Sequence, residues 1–114
     1  TATVAAETEF TENAISTVKK GMLAAAFDGT ASSVFGDYPI EVGGKTGTAS
    51  TVGDDNGVFI AFAPYQDSEI AVAIVVEHGL HGYTAAPVVK DIFDAYFFSK
   101  NENAKHDKIN KLLP

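Results

Sequence analysis

The chain has 114 residues, 46% of them hydrophobic and 20% charged, with 15 acidic side chains against 8 lysines, no arginine and no cysteine. A chain of this size buries roughly two-thirds of the surface it exposes unfolded, enough for one modest core, which excludes a multidomain enzyme for these residues by themselves. A net charge of −7 argues against nucleic acid as a partner, and the lack of cysteine removes disulfides, thiolate nucleophiles and the common structural zinc sites while leaving the compartment open.

No uninterrupted apolar stretch approaches the roughly 18 to 20 residues of a membrane-spanning helix, and residues 1–10, with two glutamates, have the makeup of neither an anchor nor a signal peptide. The sequence opens on threonine rather than methionine, which fits a piece of something longer.

Thr11-Glu12-Asn13 supplies a helix start, with a hydroxyl N-cap and an acid in the first turn, where the helix dipole favours it. Ile15, Val18, Met22 and Ala25 or Ala26 follow at spacings of three and four and predict a shared apolar face. Gly21 weakens this helix by about 1 kcal/mol relative to alanine, and Asp28-Gly29 breaks it, giving a helix over residues 11–27. Residues 30–39 are small and turn-prone, a connection with room for a single helical turn.

Residues 40–50, Ile-Glu-Val-Gly-Gly-Lys-Thr-Gly-Thr-Ala-Ser, read as a strand whose glycines let another backbone or a ligand come close. A turn at 52–56 leads to a second strand over 57–63, closed by Pro64, and a tight turn at 65–68 leads to a third over 69–77. The third is apolar from Ile70 to Val76 without polar alternation, which predicts a central strand covered on both faces. The short connection makes the last two strands an antiparallel hairpin.

Residues 78–82 form a loop, and a second helix is expected to begin at Tyr83 or Thr84, with Pro87 in its first turn. Its predicted apolar stripe is Val88, Ile92, Ala95 or Tyr96, and Phe98 or Ser99. The remainder, 100–114, holds four of the eight lysines and reads as a frayed or loosely docked tail. The fold class is therefore α+β: helix, three-stranded antiparallel sheet, helix. Two helices cover one face of such a sheet, so the all-apolar strand lacks cover, and homo-oligomers or strand exchange through its edge are expected.

The chemistry lies in Lys45-Thr46-Gly47-Thr48. A cation, two hydroxyls and a bare backbone on one extended segment can bind a carboxylate and pair with an extended peptide, and an edge N–H can stabilise an oxyanion. An isolated Lys-Thr-Gly is equally a surface lysine on a glycine-weakened strand; its context decides. Val42-Gly43-Gly44-Lys45-Thr46-Gly47-Thr48-Ala49 is followed by Asn56-Gly57-Val58-Phe59-Ile60-Ala61-Phe62-Ala63-Pro64 and then by Ile70-Ala71-Val72-Ala73-Ile74-Val75-Val76-Glu77.

This succession closely resembles the C-terminal end of the penicillin-binding transpeptidase domain, especially in the class B, monofunctional penicillin-binding proteins of bacterial cell-wall synthesis. The resemblance runs from Thr11 to Phe98 and includes Gly82-Tyr83-Thr84-Ala85-Ala86-Pro87. Serine β-lactamases share Lys-Thr-Gly, but the hydroxyl at Thr48, the Phe-Ala-Pro strand end and the closing helix are more like the transpeptidases.

The resemblance implies a serine-ester acyl transfer. In it Lys45 stands beside the nucleophile and helps position its proton and the substrate carboxylate. The Thr46 and Thr48 hydroxyls bind the terminal carboxylate of a D-Ala-D-Ala stem peptide or of a β-lactam. Gly47 keeps the strand open, and the Thr48 N–H is one oxyanion donor. The catalytic residues expected are Lys45 and Thr48, the substrate-binding residues Lys45, Thr46, Gly47 and Thr48, with no metal and no cofactor. Residues 1–98 are then the C-terminal portion of a transpeptidase domain and 99–114 a tail. The parent would work on the outer face of the cytoplasmic membrane, and the missing N-terminal part, with anchor, pedestal, serine and two more strands, is a partner.

In that family S-x-x-K and S-x-N precede Lys-Thr-Gly by long stretches. Ser16-Thr17-Val18-Lys19 spells the first, but only 29 residues before Lys45 and inside the predicted helix; Ser99-Lys100-Asn101 spells the second, but follows Lys45. Both are read as chance, so the chain alone is expected to be inactive. His78 and His81 lack a third metal ligand at matching spacing, and Asp54-Asp55 reads as a polar turn. Lys105, Lys108 and Lys111 have helical spacing and read as part of the solvated tail. The alternative of another class is a non-catalytic binding module or sensor of muropeptides or β-lactams on the same half-fold.

Overall fold

The computed structural model describes residues 2–79 and 81–99. Helix α1 (Glu12–Phe27) begins at the expected cap: the Thr11 hydroxyl accepts from the Ala14 N–H at 3.1 Å, and Glu12 occupies the first turn. It ends at Asp28, whose N–H donates to the Ala24 carbonyl. A single turn, α2 (Ser32–Phe35), follows and delivers Phe35 to the core.

Strands β1 (Gly43–Ala49), β2 (Asn56–Ala63) and β3 (Ile70–Val76) form an antiparallel sheet in the order β1-β2-β3. Lys45 stands opposite Ile60, Thr46 opposite Phe59, Gly47 opposite Val58 and Thr48 opposite Gly57; across the second ladder Phe59 faces Ile74 and Ala61 faces Val72. The first strand is shorter than expected. Residues 40–42 leave the ladder because the Glu41 carbonyl accepts the Tyr65 N–H at 2.8 Å and Val42 is buried, which binds this segment to the β2–β3 turn.

The all-apolar strand is not central. Both neighbours of β2 are its hairpin partners, so β2 takes the middle, and the outer edge of β3 has no strand beside it among the described residues. Directly opposed residues share a face. On one face Phe59, Ala61 and Ala63 are buried, with Ile70, Val72, Ile74 and Val76 packed against the core. Phe35 stacks on Phe59 at 6.2 Å between ring centres and lies 6.2 Å from Phe93.

A 3-10 turn (Gly82–Ala85) enters α3 (Ala86–Phe97), which carries Pro87 in its first turn. The α-helix thus starts later than predicted, and its buried stripe is shifted by one position: Ala86, Val89 and Phe93 are buried, whereas Val88 is 48% exposed. The preceding 3-10 turn, with three rather than 3.6 residues per turn, sets which side of α3 meets the sheet.

The segment before β1 is tied to α3 by the Tyr38 hydroxyl, which donates to an Asp94 carboxylate oxygen at 2.7 Å, while Lys90 holds the other oxygen at 3.0 Å. Burial, then the Asp94 acceptor and its charge, push the Tyr38 phenol far above its ordinary range. The Tyr38 hydrogen bond, opposed by burial and helped by Lys90, holds the Asp94 carboxyl below the usual carboxylate range.

The second face of the sheet is covered in part by α1. The Lys19 ammonium lies 5.3 and 5.4 Å from the ring centres of Phe62 and Tyr65. Ile60 is nevertheless 43% exposed, Val75 61% and, on α1 itself, Val18 63%. The predicted α1 stripe is buried only toward its C-terminal end, at Ala26. No described helix is long and apolar enough to cross a membrane. The predicted tail, 100–114, lies outside the described residues, as do Lys105, Lys108 and Lys111.

Candidate active site

Lys45, Thr46, Gly47 and Thr48 all lie on β1, whose outer edge has no strand beside it among the described residues. Alternation along the strand puts Thr46 and Thr48 on one face and Lys45 on the other, so hydroxyls and ammonium flank the edge from both sides. The Lys45 ammonium donates to the Thr46 carbonyl at 2.6 Å and forms no ion pair among the described residues.

Backbone direction follows from crowding behind the strand. A Cβ built on Gly82 would collide with the Val58 carbonyl oxygen and lie 2.6 and 2.7 Å from the Gly47 oxygen and nitrogen. Carbonyl oxygens that close to one point must both project between β1 and β2, which makes Gly47 and Val58 a hydrogen-bonded pair. The peptide unit is planar and trans, so the Thr48 N–H points the opposite way from the Gly47 carbonyl, out of the free edge. The Thr46 N–H and carbonyl point outward too, and the Lys45 contact falls on that carbonyl.

Gly47 differs from its neighbours. A Cβ on it would make only ordinary contact with Val58, at 3.6 Å, and its φ lies outside the left-handed region. Internal packing does not require a glycine there, and its absent side chain leaves the edge open to an incoming backbone.

Beside this edge an open groove of about 640 Å³ runs between α1 and β1, lined in part by Val18, Met22, Asp28, Thr30, Lys45 and Thr46. The Thr30 and Thr46 hydroxyls are 3.4 Å apart in it. A cation, hydroxyls and an outward N–H on one open edge can hold a carboxylate, extend the sheet with a substrate backbone and donate to an oxyanion.

The four predicted residues are therefore brought together. No motif in the sequence marks Thr30 or Gly82 as a site residue; Gly82 belongs to the Gly-Tyr-Thr-Ala-Ala-Pro segment, but its approach to Gly47 joins distant parts of the chain.

Ser16 and Ser99, the serines of the two look-alike motifs, lie on α1 and at the end of α3 rather than on β1. Ser16 sits on exposed α1 in a separate groove with Lys19, Tyr65 and Gln66. The Ser99 hydroxyl donates to the Ala95 carbonyl, while Lys100 and Asn101 lie outside the described residues. His78 Nδ1 lies 3.0 Å from the Asp54 carbonyl, and the His78 backbone N–H donates to the Asn56 side-chain oxygen at 3.0 Å. His81 stacks on Tyr83, 5.2 Å between ring centres. No group of three or more His, Asp or Glu among the described residues is arranged to hold a metal.

Residues 1–94 match the family model of the penicillin binding protein transpeptidase domain. The chain is 33% identical over 79 residues to the peptidoglycan D,D-transpeptidase MrdA of Acinetobacter baumannii, a match covering 55% of this chain and 12% of that protein. Its fold resembles the crystal structure of Pseudomonas aeruginosa PBP2 in complex with WCK 5153 at a TM-score of 0.66 and 38% identity, covering 70% of this chain and 18% of that one. The penicillin-binding protein PBP2 from Helicobacter pylori gives 0.67 and 28%, covering 75% and 17%. The matched part is thus less than a fifth of each of these proteins. Sharing its fold with these structures and the family pattern over residues 1–94, the chain belongs to the penicillin-binding protein transpeptidase domain family.

Proposed function

We propose that this chain forms one wall of the acyl-transfer site of a class B peptidoglycan D,D-transpeptidase, and that Lys45-Thr46-Gly47-Thr48 is that wall. The observation that carries this reading is the open β1 edge, where the outward Thr48 N–H lies between an ammonium on one face and two hydroxyls on the other. A serine hydroxyl from the rest of the domain adds its oxygen to the carbonyl carbon of the penultimate D-alanine. The C–N bond then breaks, and the proton goes to the amine of the departing D-alanine. An amine of a second stem peptide attacks the ester, forms the cross-linking amide and returns a proton to the serine. A β-lactam undergoes the first step only, its ring C–N bond opening to leave an acyl-enzyme.

Lys45 draws the substrate carboxylate to the edge and supports proton movement at the serine. The Thr46 and Thr48 hydroxyls donate to that carboxylate. The Thr48 N–H donates to the oxygen that gains negative charge at the tetrahedral stage, where a fixed dipole lowers the barrier most. The exposed Ile60 and Val75 and the β3 edge, with no strand beside it among the described residues, support the further reading that the preceding part of the same protein covers this face; kinship with the peptidoglycan transpeptidases supports a parent at the outer surface of the cytoplasmic membrane. Residues 1–98 then belong to the transpeptidase domain and 99–114 to a tail, and homo-oligomers through the β3 edge belong to the chain taken alone.

Fluorescent penicillin tests the proposal. The intact protein is expected to label covalently and the isolated chain not at all. A stoichiometric adduct on Ser16 would instead put the nucleophile in this chain, and an intact protein that binds β-lactam without acylation would favour the non-catalytic binding module.

A further inference from the structure

Three segments meet behind the β1 edge with almost no side chain between them. A Cβ on Gly57 would lie 2.5 Å from the His81 carbonyl oxygen, and one on Gly82 would collide with Val58 and press on the nitrogen and oxygen of Gly47. The backbone at 81–82 therefore rests directly on the rungs Gly47–Val58 and Thr48–Gly57. The turn is itself held: the Thr84 hydroxyl donates to the His81 carbonyl at 2.7 Å, and the rings of His81 and Tyr83 stack. Gly82 is buried.

We propose that Gly82 is a positioning residue for the Thr48 N–H, its bare backbone holding the Gly47–Thr48 peptide from behind the sheet. The inference rests on the reading of Thr48 as an oxyanion donor. Peptide planarity transmits the contact: a push on the Gly47 oxygen turns the whole rigid unit, and the N–H on its far side swings out of line. A methyl at position 82 has no flexible side chain to displace, only backbone, so the strand or the turn must move.

Gly82→Ala is expected to slow β-lactam acylation of the intact protein about tenfold or more, while the affinity of the preceding non-covalent complex changes less than about threefold, because a misplaced donor is felt at the tetrahedral stage. Gly36→Ala is the comparator: a Cβ there would lie 2.6 Å from the Ser32 carbonyl oxygen, in a comparably tight spot at the end of α2, and it should leave acylation unchanged. In the intact protein, Gly82→Ala should shift the Thr48 amide resonance, and Gly36→Ala should not.

Should Gly82→Ala fail to fold, Thr84→Val serves: it removes the shorter of the two hydrogen bonds on the His81 carbonyl, leaving the one from the Thr84 N–H at 3.1 Å, and should slow acylation in the same sense by a smaller factor. Wild-type acylation by a folded Gly82→Ala protein with an unmoved Thr48 resonance overturns the proposal, as does an unaffected Thr84→Val if that is the variant available. If Lys45→Ala also leaves acylation intact, the reading of the edge itself fails; if Lys45→Ala slows it and Gly82→Ala does not, only the role of Gly82 falls.

Discussion

Replacing Lys45 by alanine in the intact protein is expected to slow acylation by a β-lactam about a hundredfold or more, which corresponds to roughly 2.7 kcal/mol of transition-state stabilisation. The side chain is exposed, and its one hydrogen bond among the described residues goes to the neighbouring Thr46 carbonyl, so its loss costs the fold little. Its electrostatic loss is larger. Residues 1–98 hold four lysines against thirteen acids, and of the other three, Lys19 lies over two rings and Lys90 is paired with Asp94. Lys45 is the lysine placed on the β1 edge, in surroundings that otherwise repel a carboxylate. Lys45→Arg should recover part of the binding but not the rate, because a guanidinium keeps the charge that draws the carboxylate yet stays protonated and cannot support proton movement at the serine. The time course of labelling by fluorescent penicillin reads both, and an unchanged rate in Lys45→Ala would remove the lysine from the mechanism.

Phe93→Ala should destabilise the chain by about 3–5 kcal/mol, the range for emptying a fully buried aromatic site. Phe93 has no exposed surface and packs against Phe35 and Phe97, each 6.2 Å away between ring centres, so the cavity opens where α2, α3 and the sheet meet. Small domains have about 5–15 kcal/mol in total, so this one change should leave much of the population unfolded in mild urea. Val88→Ala, five residues earlier on the half-exposed side of α3, should cost no more than about 0.5 kcal/mol. Urea unfolding followed by far-UV circular dichroism separates them, and equal losses would return the buried stripe to the Val88 side.

These two substitutions mark the boundary of what the sequence makes legible. The ends of α1 are readable because Thr11 and Asp28-Gly29 act within one turn. The strands are readable as β-branched runs between turn residues. Which strand lies between the others is not: Ile70 to Val76 presents the same apolar run whether or not both its faces are covered. The stripe of α3 is ambiguous because Val88 and Val89 are adjacent and the 3-10 turn before them, a tertiary feature, decides which one faces inward.

At the site, the identities of Lys45 to Thr48 are evident as a motif, and the family resemblance supplies their expected roles. The direction of the Thr48 N–H is not evident, because it depends on whether Gly47 or Thr48 forms the hydrogen-bonded rung with β2. The close approach of the Gly82 backbone to that rung joins positions whose spacing in the chain carries no periodic signal.

The most direct measurement is a crystal structure of the intact protein acylated by a β-lactam. The proposed wall requires the acyl carbonyl oxygen within hydrogen-bonding distance of the Thr48 N–H and the β-lactam carboxylate on the Thr46 and Thr48 hydroxyls, near Lys45. An adduct whose carbonyl oxygen and carboxylate both lie away from the β1 edge would contradict it.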